Sequence, residues 1–578
     1  MLPVILRVSF AVDSAISRNQ WLPGQTMFIY EAIAQAFKRE GVTAHFSLMG
    51  DGNMHWVTAM KNTPGIKTYS IRHEHCACAM AVGYAKATGE VGVASVTHGP
   101  GITQVITALG EAAASKTPLV VFIGEVPTGA IFHDQMLDHR QFVVPVGCDY
   151  ISVRNRDRVM DCVRSAFYTA RTERRPVILG VPVDLQRMEF NSTNEYIPST
   201  DFVPKPSLVM PEPERLAEFA DMLSKAKAPV ILAGMGVVQA GAVQAVVKLA
   251  DVSQALLGTT LPAKGLFDDH PFSIGVCGGY GPEITREICQ GADLLLAVGT
   301  TLSYHTLDGG AMFPKATIAQ IDLQPKGLHQ GLRAANYHLV ADARVAAEAI
   351  TAEIEKIGRT ASRVRTPELA KRLKTTPADP MPYDITEGLD PREVIAELGR
   401  ILPEDAEIVG GSGQQGQFYV HMSGRPQRRY HDIKAFGTIG SGLSWAAGIA
   451  AARDAGTVVL VEGDGSLLMH IQELESIMRH RLKLLVCVMN DGAYGSELHK
   501  LRAAGIDDSG SVFGRPDFAS IAKGFGLRGR TITNLLGLSD YYREFRAGDR
   551  AEIWDIHVSD IVVSSHIRRA IDKNYRKP

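Results

Sequence analysis

The residues Gly463–Ser466 place one carboxylate in a glycine-rich turn at the end of a predicted strand. Thr457–Glu462 is rich in valine, as expected of a buried strand, and Leu467–Arg479 has the apolar spacing of a helix. A glycine-rich turn from strand to helix exposes backbone N–H groups and the positive end of the helix dipole, which suit a phosphate. Because Asp464 adds a hard oxygen ligand, the segment predicts a turn that binds a phosphate and a cation.

A second polar turn follows the next predicted strand. Leu484–Met489 has a buried-strand pattern and ends in Asn490–Gly495, which offers two oxygen-bearing side chains and free carbonyls. The carboxyl ends of parallel strands meet at one edge of a sheet, so the two turns should lie side by side. Either turn alone is a common loop, but the pair predicts a Mg²⁺–diphosphate site.

Taken together, Gly463–Gly495 resembles the cofactor motif of the thiamine-diphosphate-dependent enzymes of the acetolactate synthase and pyruvate decarboxylase superfamily, which begins GDG and ends in an Asn-rich turn. The resemblance implies Mg²⁺ ligands at Asp464, at Asp491 and at the Ala493 carbonyl. Asn490-Asp491 stands where most members have Asn-Asn, so Asn490 becomes the ligand if the loop register shifts by one residue. The cofactor contacts implied by this motif are Gly463, Gly465, Ser466, Tyr494 and Gly495.

The first part of the chain extends the resemblance. Ile71–His75, followed by the helical run Cys76–Thr88, resembles the family's RHE motif and the GYARATG that follows it, and Thr97–Gly101 resembles its TSGPG turn. The resemblance implies that Glu74 activates the aminopyrimidine of the cofactor and that Pro100 contacts the cofactor. A lone glutamate could equally complement the helix dipole, but the match runs from Ile71 to Gly101.

Three histidines of this region could suggest a metal cluster. They are interpreted instead as polar lining or as hydrogen-bonded core residues, because their spacing fits no transition-metal motif. The three are His73, His75 and His98.

Two further segments of the C-terminal part resemble the same family. In Phe436–Gly440 the resemblance implies that the Gly437 carbonyl accepts a hydrogen bond from the 4′-amino group and that Ile439 separates the two cofactor rings. In the turn that starts at Gly413, the resemblance implies that Gln414 and Gln415 contact the diphosphate.

Three places bear on the reaction type. Leu48–Asn53 resembles the PGDFN turn of pyruvate decarboxylases, which implies a proton-handling role for Asp51, and Phe132–Asp134 places His133 near their histidine pair. Gly299–His305 replaces the GARFDDR stretch of acetolactate synthases and lacks both of its arginines, so FAD is not expected. A helix-capping Asp51 and a solvated loop residue at His133 stay open as alternatives.

The resemblance implies cleavage or ligation next to a carbonyl, as 2-oxo-acid decarboxylation with aldehyde release or as acyloin-type carboligation. Acetolactate synthase is the alternative within the family, and a catalytically silent regulatory subunit is the alternative of another class. The retention of Glu74, Ile439 and Asp464 disfavours a silent subunit. An NAD oxidoreductase is disfavoured because no GxGxxG with a downstream acid follows the first strand. Because Glu74 and Asp464 lie in different segments, the resemblance implies a homodimer or homotetramer with active sites between subunits.

Short β-branched runs alternate with helical patterns along the chain, which predicts an α/β protein with parallel sheets covered by helices. Two proline-rich stretches, 191–214 and 356–391, lack that rhythm and are interpreted as linkers. They leave three predicted doubly wound domains. The resemblance implies that these are an N-terminal pyrimidine-binding domain, a central domain and a C-terminal diphosphate-binding domain. The predicted ranges are an extension at 1–24 and domains at 25–190, 210–355 and 390–565.

Composition excludes several classes of protein. The 578 residues carry 60 Lys+Arg and 62 Asp+Glu, so no basic excess is present to bind nucleic acid. Seven cysteines in so long a chain make no disulfide framework, which favours a reducing cytoplasm. No apolar run approaches the roughly 20 residues of a membrane span, so no membrane partner is expected.

Overall fold

The computed structural model describes residues 27–191, 195–205, 207–422, 430–453 and 456–572. These residues form three α/β domains, each on a six-stranded parallel sheet, which confirms the predicted fold class. The predicted extension, 1–24, lies outside the described residues. In the part of the chain that is described, no helix is long and apolar enough to cross a membrane.

The N-terminal domain has six strands and eight helices. The strands are β1 Ala44–Ser47, β2 Lys67–Ser70, β3 Gly92–Val96, β4 Leu119–Glu125, β5 Asp149–Ser152 and β6 Pro176–Pro182. The helices are α1 Ile29–Arg39, α2 Met54–Asn62, α3 Glu74–Thr88, α4 Pro100–Gln104, α5 Ile106–Ala114, α6 His139–Val143, α7 Val159–Glu173 and α8 Val183–Gln186. The strand order is β2-β1-β3-β4-β6-β5. The central strands β3, β4 and β6 are buried almost throughout because helices cover both faces.

The central domain adds a short hairpin to its six-stranded sheet. The strands are β7 Pro229–Ala233, β8 Leu256–Thr259, β9 Ser273–Val276, β10 Leu294–Val298, β11 Thr317–Asp322, the hairpin strands β12 Leu328–His329 and β13 Leu332–Arg333, and β14 Tyr337–Val340. The helices are α9 Pro213–Lys225, α10 Met235–Gln239, α11 Val243–Ser253, α12 Glu283–Gly291, α13 Tyr304–Leu307, α14 Ala343–Ile357 and α15 Pro367–Thr375. The order β14-β11-β10-β7-β8-β9 reverses direction between β7 and β10, which is the topological switch point of a doubly wound sheet.

The C-terminal domain repeats the strand order of the N-terminal one. Its strands are β15 Glu407–Gly410, β16 Tyr430–Asp432, β17 Val458–Gly463, β18 Leu485–Asn490, β19 Arg528–Ile532 and β20 Glu552–His557. Its helices are α16 Pro391–Ile401, α17 Gly442–Ala451, α18 Asp464–Met469, α19 Glu473–Arg479, α20 Gly495–Ala504, α21 Phe518–Gly524, α22 Leu538–Ala547 and α23 Ser565–Ile571. The order is β16-β15-β17-β18-β20-β19. The single helix predicted for Leu467–Arg479 is two helices, α18 and α19, separated at His470, whose φ of −136° is not helical.

The N- and C-terminal domains share one hydrophobic core, in which α3 packs against α17. Glycines allow this close crossing. A side-chain carbon at Gly83 would lie 2.3 Å from the Trp445 carbonyl oxygen, and one at Gly448 would lie 2.0 Å from the Met80 carbonyl oxygen. The two domains are therefore held together by backbone packing in addition to side-chain contacts.

Parts of both predicted linkers have defined structure. Ser199 donates its backbone N–H to the buried Glu40 carboxylate at 2.8 Å, which fastens residues 195–205 to the N-terminal domain. Residues 356–391 contain α15, whose Leu369 and Leu373 pack on a core of the central domain. Pro367 does not prevent α15 from forming because it occupies the first turn, where no intrahelical N–H bond is lost.

Candidate active site

Two carboxylates, Asp464 and Asp491, follow paired strands at the carboxyl edge of the C-terminal sheet. Both side chains are buried. The two oxygens of Asp464 accept hydrogen bonds from the Gly465 N–H at 2.7 Å and the Gly492 N–H at 2.6 Å. The two predicted turns therefore meet at one point, with Asp464 bonded to both.

The electrostatics of this pair call for a cation. Burial raises the pKa of Asp464 to about 6. Burial, followed by the charge of Asp464, raises the pKa of Asp491 well above its usual range. No Lys or Arg within the described ranges is among the groups that shift either pKa. Two buried carboxylates without a counter-charge are costly, and a hard divalent cation with oxygen ligands would remove that cost. The residues present therefore fit Mg²⁺.

The neighbouring Asn490 points away from the pair. Its Nδ2 donates to Asp555 Oδ1 at 2.8 Å and to the Pro516 carbonyl at 3.0 Å. Asp491 instead accepts a hydrogen bond from Gln415 Nε2 at 2.9 Å, and the charge of Asp464 raises the Asp491 pKa. The side chain that faces Asp464 is thus Asp491, the residue preferred from the sequence. The Ala493 N–H donates to Asp491 Oδ1 at 3.2 Å, which places Ala493 beside the pair.

Glycines keep the floor of the site open. A side-chain carbon at Gly465 would lie 2.6 Å from the Tyr494 ring, and one at Gly495 would lie 2.9 Å from Asp491 Oδ2. Gly463, at the end of β17, lies against the Gln415 side chain. Any larger residue at 465 or 495 would displace the groups that surround the acid pair.

The turn after β15 supplies two amide side chains, Gln414 and Gln415, beside the pair Asp464 and Asp491. Gln414 Nε2 bonds His499 Nε2 at 3.0 Å, and Gly413 adopts a φ of +91°. The Oε1 atoms of Gln414 and Gln415 are buried and have no hydrogen-bond partner in the described structure. Buried polar atoms are nearly always satisfied, so these oxygens leave hydrogen-bonding capacity for a ligand.

The segment that contains Gly437 and Ile439 is hydrogen-bonded to the turn that contains Asp464. The Gly440 N–H donates to Ser466 Oγ at 2.7 Å. Gly437 has a φ of +74° and is exposed, and Ile439 is half-buried. The structure thus brings Gly437, Ile439 and Ser466 into one connected surface next to Asp464.

Glu462, the last residue before the GDG turn, was not predicted from the sequence as a site residue. It is buried, it accepts from Ser466 Oγ at 2.6 Å and from the Gly442 N–H at 3.2 Å, and its Oε2 has no partner in the described structure. Burial raises the pKa of Glu462 to about 7. The signal that could have revealed it is a charged residue at the end of an otherwise apolar strand.

Glu74 is the first residue of α3, in the N-terminal domain, and is half-buried. Its neighbours contact the C-terminal domain, since the Arg72 N–H donates to Glu473 Oε1 at 3.0 Å and His75 Nε2 bonds Ser441 Oγ at 2.9 Å. The Glu74 carboxylate makes no hydrogen bond to another described residue. The structure therefore places Glu74 at the domain interface without a partner for its charge among the described residues.

Asp51 and His133 come together with His98 at the carboxyl edge of the N-terminal sheet. The His98 and His133 ring centres are 5.0 Å apart, and both His133 and Asp51 influence the His98 pKa, which burial lowers. His98 is buried, and its two ring nitrogens have no partner in the described structure. Of the two interpretations of His98, polar lining fits this arrangement better than a hydrogen-bonded core residue. Pro100 begins α4 two residues later and is exposed.

A cavity of about 1310 Å³ lies at the switch point of the central domain. Its lining includes Gly234 after β7, Gly299 after β10, and the two positions, Thr301 and His305, where the sequence lacks arginines. Nucleotides bind at such switch points in doubly wound sheets. The expected absence of FAD stays a prediction.

The chain matches three family models in order. Residues 27–141 match the N-terminal TPP binding domain of thiamine pyrophosphate enzymes, residues 216–350 match their central domain, and residues 411–553 match their C-terminal TPP binding domain.

Similar proteins include three large subunits. A probable acetolactate synthase large subunit of Methanocaldococcus jannaschii is 27% identical over 547 residues, 91% of each chain. The acetolactate synthase isozyme 3 large subunit of Escherichia coli is 28% identical and covers 87% of this chain and 89% of its own. The acetolactate synthase large subunit of Haemophilus influenzae is 26% identical, with 93% and 95% covered.

Proposed function

This chain belongs to the thiamine pyrophosphate enzymes, and on that premise we propose that it decarboxylates a 2-oxo acid and transfers the remaining carbon unit to a carbonyl acceptor. The observation that carries the proposal is the buried pair Asp464 and Asp491, whose pKa values are both raised and which lies beside amide oxygens without a partner in the described structure. A silent subunit would have no need to maintain two uncompensated buried charges.

Asp464, Asp491 and the Ala493 carbonyl would hold Mg²⁺, and Gln414 and Gln415 would contact the diphosphate. The turn at Gly437 and Ile439 would hold the rings. Thiamine diphosphate supplies an electron sink for cleavage of the bond next to a carbonyl. The glycines of the site, which have no side chain, would let the protein backbone approach the diphosphate closely.

In this proposal Glu74 holds the proton that activates the aminopyrimidine. A carboxyl group without a competing hydrogen bond can bind a ring nitrogen and share a proton with it, and this requires a half-buried position such as that of Glu74. Asp51, His98 and His133 form the polar wall of the N-terminal domain. They would orient the substrate carboxylate or deliver a proton to the product.

The relatives named as acetolactate synthases support carbon transfer to a second carbonyl. The second candidate is release of an aldehyde, which the grouping of Asp51 with His98 and His133 favours, because a nearby proton donor can protonate the carbon unit before an acceptor arrives. Acetohydroxy acid formation is one case of the transfer reaction.

The test is a panel of 2-oxo acids, each supplied with thiamine diphosphate and Mg²⁺, with and without aldehyde or 2-oxo-acid acceptors. Carbon dioxide and carbon products are measured together. We expect cofactor-dependent CO₂ release and a new carbon–carbon bond. Asp464→Ala protein is the control. Absence of turnover with every pair, in protein that binds the cofactor, would contradict the proposal and favour the silent subunit.

We further propose that the active form is a homodimer or a homotetramer with sites between subunits, supported by a Glu74 that has no hydrogen-bond partner among the described residues of its own chain. Mixing Glu74→Gln chains with Asp464→Ala chains tests this directly. Mixed dimers would contain one intact site, so activity should recover to about a quarter of wild type. If each site forms within one chain, mixing restores nothing.

We propose that the protein does not require a flavin. A test is needed because the cavity of the central domain lies at the switch point of its sheet, where nucleotides bind in doubly wound folds. The purified protein should be colourless, and added FAD should not change turnover. A yellow protein that loses activity on flavin removal would overturn this. A cytoplasmic location is proposed because all seven cysteines are unpaired.

A further inference from the structure

A second group of ligand-type side chains lies where the N- and C-terminal domains meet. His73, Cys76 and His470 each present one ligand atom, and these atoms lie within 4.8 Å of one another. His73 caps α3, Cys76 lies in its first turn, and His470 lies in the break between α18 and α19. We propose that these three residues bind a transition-metal ion of the Zn²⁺ type, at a site separate from the Mg²⁺ site.

The donor atoms distinguish this site from the acid pair. Two imidazoles and one thiolate are ligands that Zn²⁺ prefers, and Mg²⁺ does not use sulfur or nitrogen ligands readily. The pair Asp464 and Asp491 offers oxygen alone, which Mg²⁺ prefers. The two sites therefore differ in the ion that their donor atoms prefer.

The ring geometry agrees with coordination to one ion. The centres of the His73 and His470 rings are 5.1 Å apart, and their planes are inclined by 67°. Two imidazoles on one tetrahedral Zn²⁺, with Zn–N bonds of about 2.0 Å, also place their ring centres about 5 Å apart. Ligand atoms of such a site are roughly 3.3–3.8 Å from one another. The three ligand atoms here lie within 4.8 Å of one another, so they need to approach by no more than about 1 Å, which side-chain rotation can provide.

Hydrogen bonds already orient His470. Its Nδ1 bonds the Gly440 carbonyl at 2.9 Å. Because a carbonyl can only accept, Nδ1 carries the proton and Nε2 presents its lone pair, which is the arrangement found in zinc-binding histidines. The His75 ring stacks on His470 at 4.6 Å with an interplanar angle of 4°, and its own Nε2 is bonded to Ser441. His75 therefore supports the site and is not counted as a ligand.

Metal binding changes two groups on α3. The Cys76 thiol is buried next to Glu473, so it is neutral without metal. On binding, the S–H bond breaks, a metal–sulfur bond forms and the proton leaves to solvent. The His75 backbone N–H donates to His73 Nδ1 at 3.1 Å, so in the neutral ring Nε2 carries the proton. Coordination through Nε2 moves this proton to Nδ1, which breaks the capping bond, and a metal–nitrogen bond forms in its place. His73 is half-buried, which gives the ion a path from solvent.

The ion would join the start of α3 to the segment after α18. Two of its ligands, His73 and Cys76, flank Glu74 in the sequence, so a bound ion would fix the backbone that carries Glu74. This inference rests on the three side chains and not on the proposed reaction. Its test therefore reads metal binding and not turnover.

The experiment titrates the full-length, Mg²⁺-loaded protein, freed of transition metals, with Zn²⁺ and separately with Co²⁺. We expect one Zn²⁺ per chain with Mg²⁺ retained. Co²⁺ should give the strong visible absorption of four-coordinate cobalt and a thiolate-to-cobalt charge-transfer band. Cys76→Ser should lose that band, and His470→Asn should weaken Zn²⁺ binding by roughly 10–100-fold or more.

Cys78→Ser is the matched control, because it makes the same change two residues along the same helix, at another buried cysteine. It should retain both signals. Far-ultraviolet circular dichroism checks that each variant is folded. If the Cys76→Ser variant is not folded, Zn²⁺ binding by the His470→Asn variant decides the outcome. A charge-transfer band that survives in Cys76→Ser, or Zn²⁺ binding unchanged in His470→Asn, would overturn the proposal.

Discussion

The N- and C-terminal sheets have the same strand order, yet their carboxyl edges carry different chemistry. The C-terminal edge brings together two buried carboxylates, and glycines surround them. The N-terminal edge carries Glu74, which is half-buried, and His98, whose ring nitrogens have no partner in the described part of the chain. One edge is therefore suited to hold an ion and a diphosphate, and the other to transfer protons. Shared topology positions the loops, and the side chains decide the use of each edge.

The largest effect expected from this difference is on cofactor retention. Asp464→Ala should abolish retention of thiamine diphosphate and Mg²⁺, because the ion loses the carboxylate that is bonded to both turns. His98→Ala, at the corresponding edge of the N-terminal sheet, should leave retention unchanged. Equilibrium binding of the cofactor measures both. Equal losses in the two variants would remove the distinction between the edges.

The next effect concerns proton transfer. Glu74→Gln should keep cofactor binding but slow exchange of the cofactor's C2 proton by roughly 10²–10⁴-fold, as expected for loss of a general acid–base group. Hydrogen–deuterium exchange followed by NMR measures this rate. Exchange close to that of the wild type would show that the N-terminal edge does not activate the cofactor.

The acid pair should make stability depend on pH and on Mg²⁺. The pKa of Asp464 is raised to about 6 in the folded protein, so the protonated form favours folding. Without metal, stability should be present at low pH and fall as the pH rises from about 4 through about 6. Mg²⁺ should therefore raise the melting temperature more at pH 8 than at pH 5. A calorimetric series at several pH values, with Asp464→Asn as control, tests this; an equal Mg²⁺ effect at both pH values would count against the pair as the metal site.

The polar wall of the N-terminal domain should influence product choice. Asp51→Asn, His133→Ala and His98→Ala should each change the aldehyde-to-carboligation ratio by a few-fold on the best substrate, because each alters proton delivery. Product ratios by chromatography measure the effect, and cofactor affinity is the control. If all three variants keep the wild-type ratio, another part of the pocket controls the fate of the carbon unit.

The smallest expected effect concerns Asn490 and Asp491, at the end of β18 and in the turn that follows it. Asp491→Asn removes a charge but keeps an oxygen ligand, so it should retain Mg²⁺-dependent binding within about tenfold. Asn490→Ala should lower stability through lost bonds to Asp555 and Pro516 without changing Mg²⁺ affinity. The reverse pattern would show that Asn490 is the ligand.

The sequence by itself determined the α/β class and the pairing of the two turns. Buried strands such as Leu294–Val298 are continuous apolar runs, and glycine-rich turns directly follow them, so strand ends and polar turns are local features of the chain. This is why Asp464 and Asp491 could be placed together although 26 residues lie between them. Where local signals conflicted, the prediction failed, as in the single helix expected across His470.

Only the tertiary structure decided which distant side chains meet. His73 and Cys76 belong to the N-terminal domain and His470 to the C-terminal one, and no spacing within the sequence relates His470 to the other two. The burial of Glu462 and the lack of partners around His98 depend on what packs over them, which a strand pattern does not encode. Local propensity determines each element, whereas pKa shifts, unsatisfied polar atoms and ligand clusters arise from contacts between elements far apart in the chain.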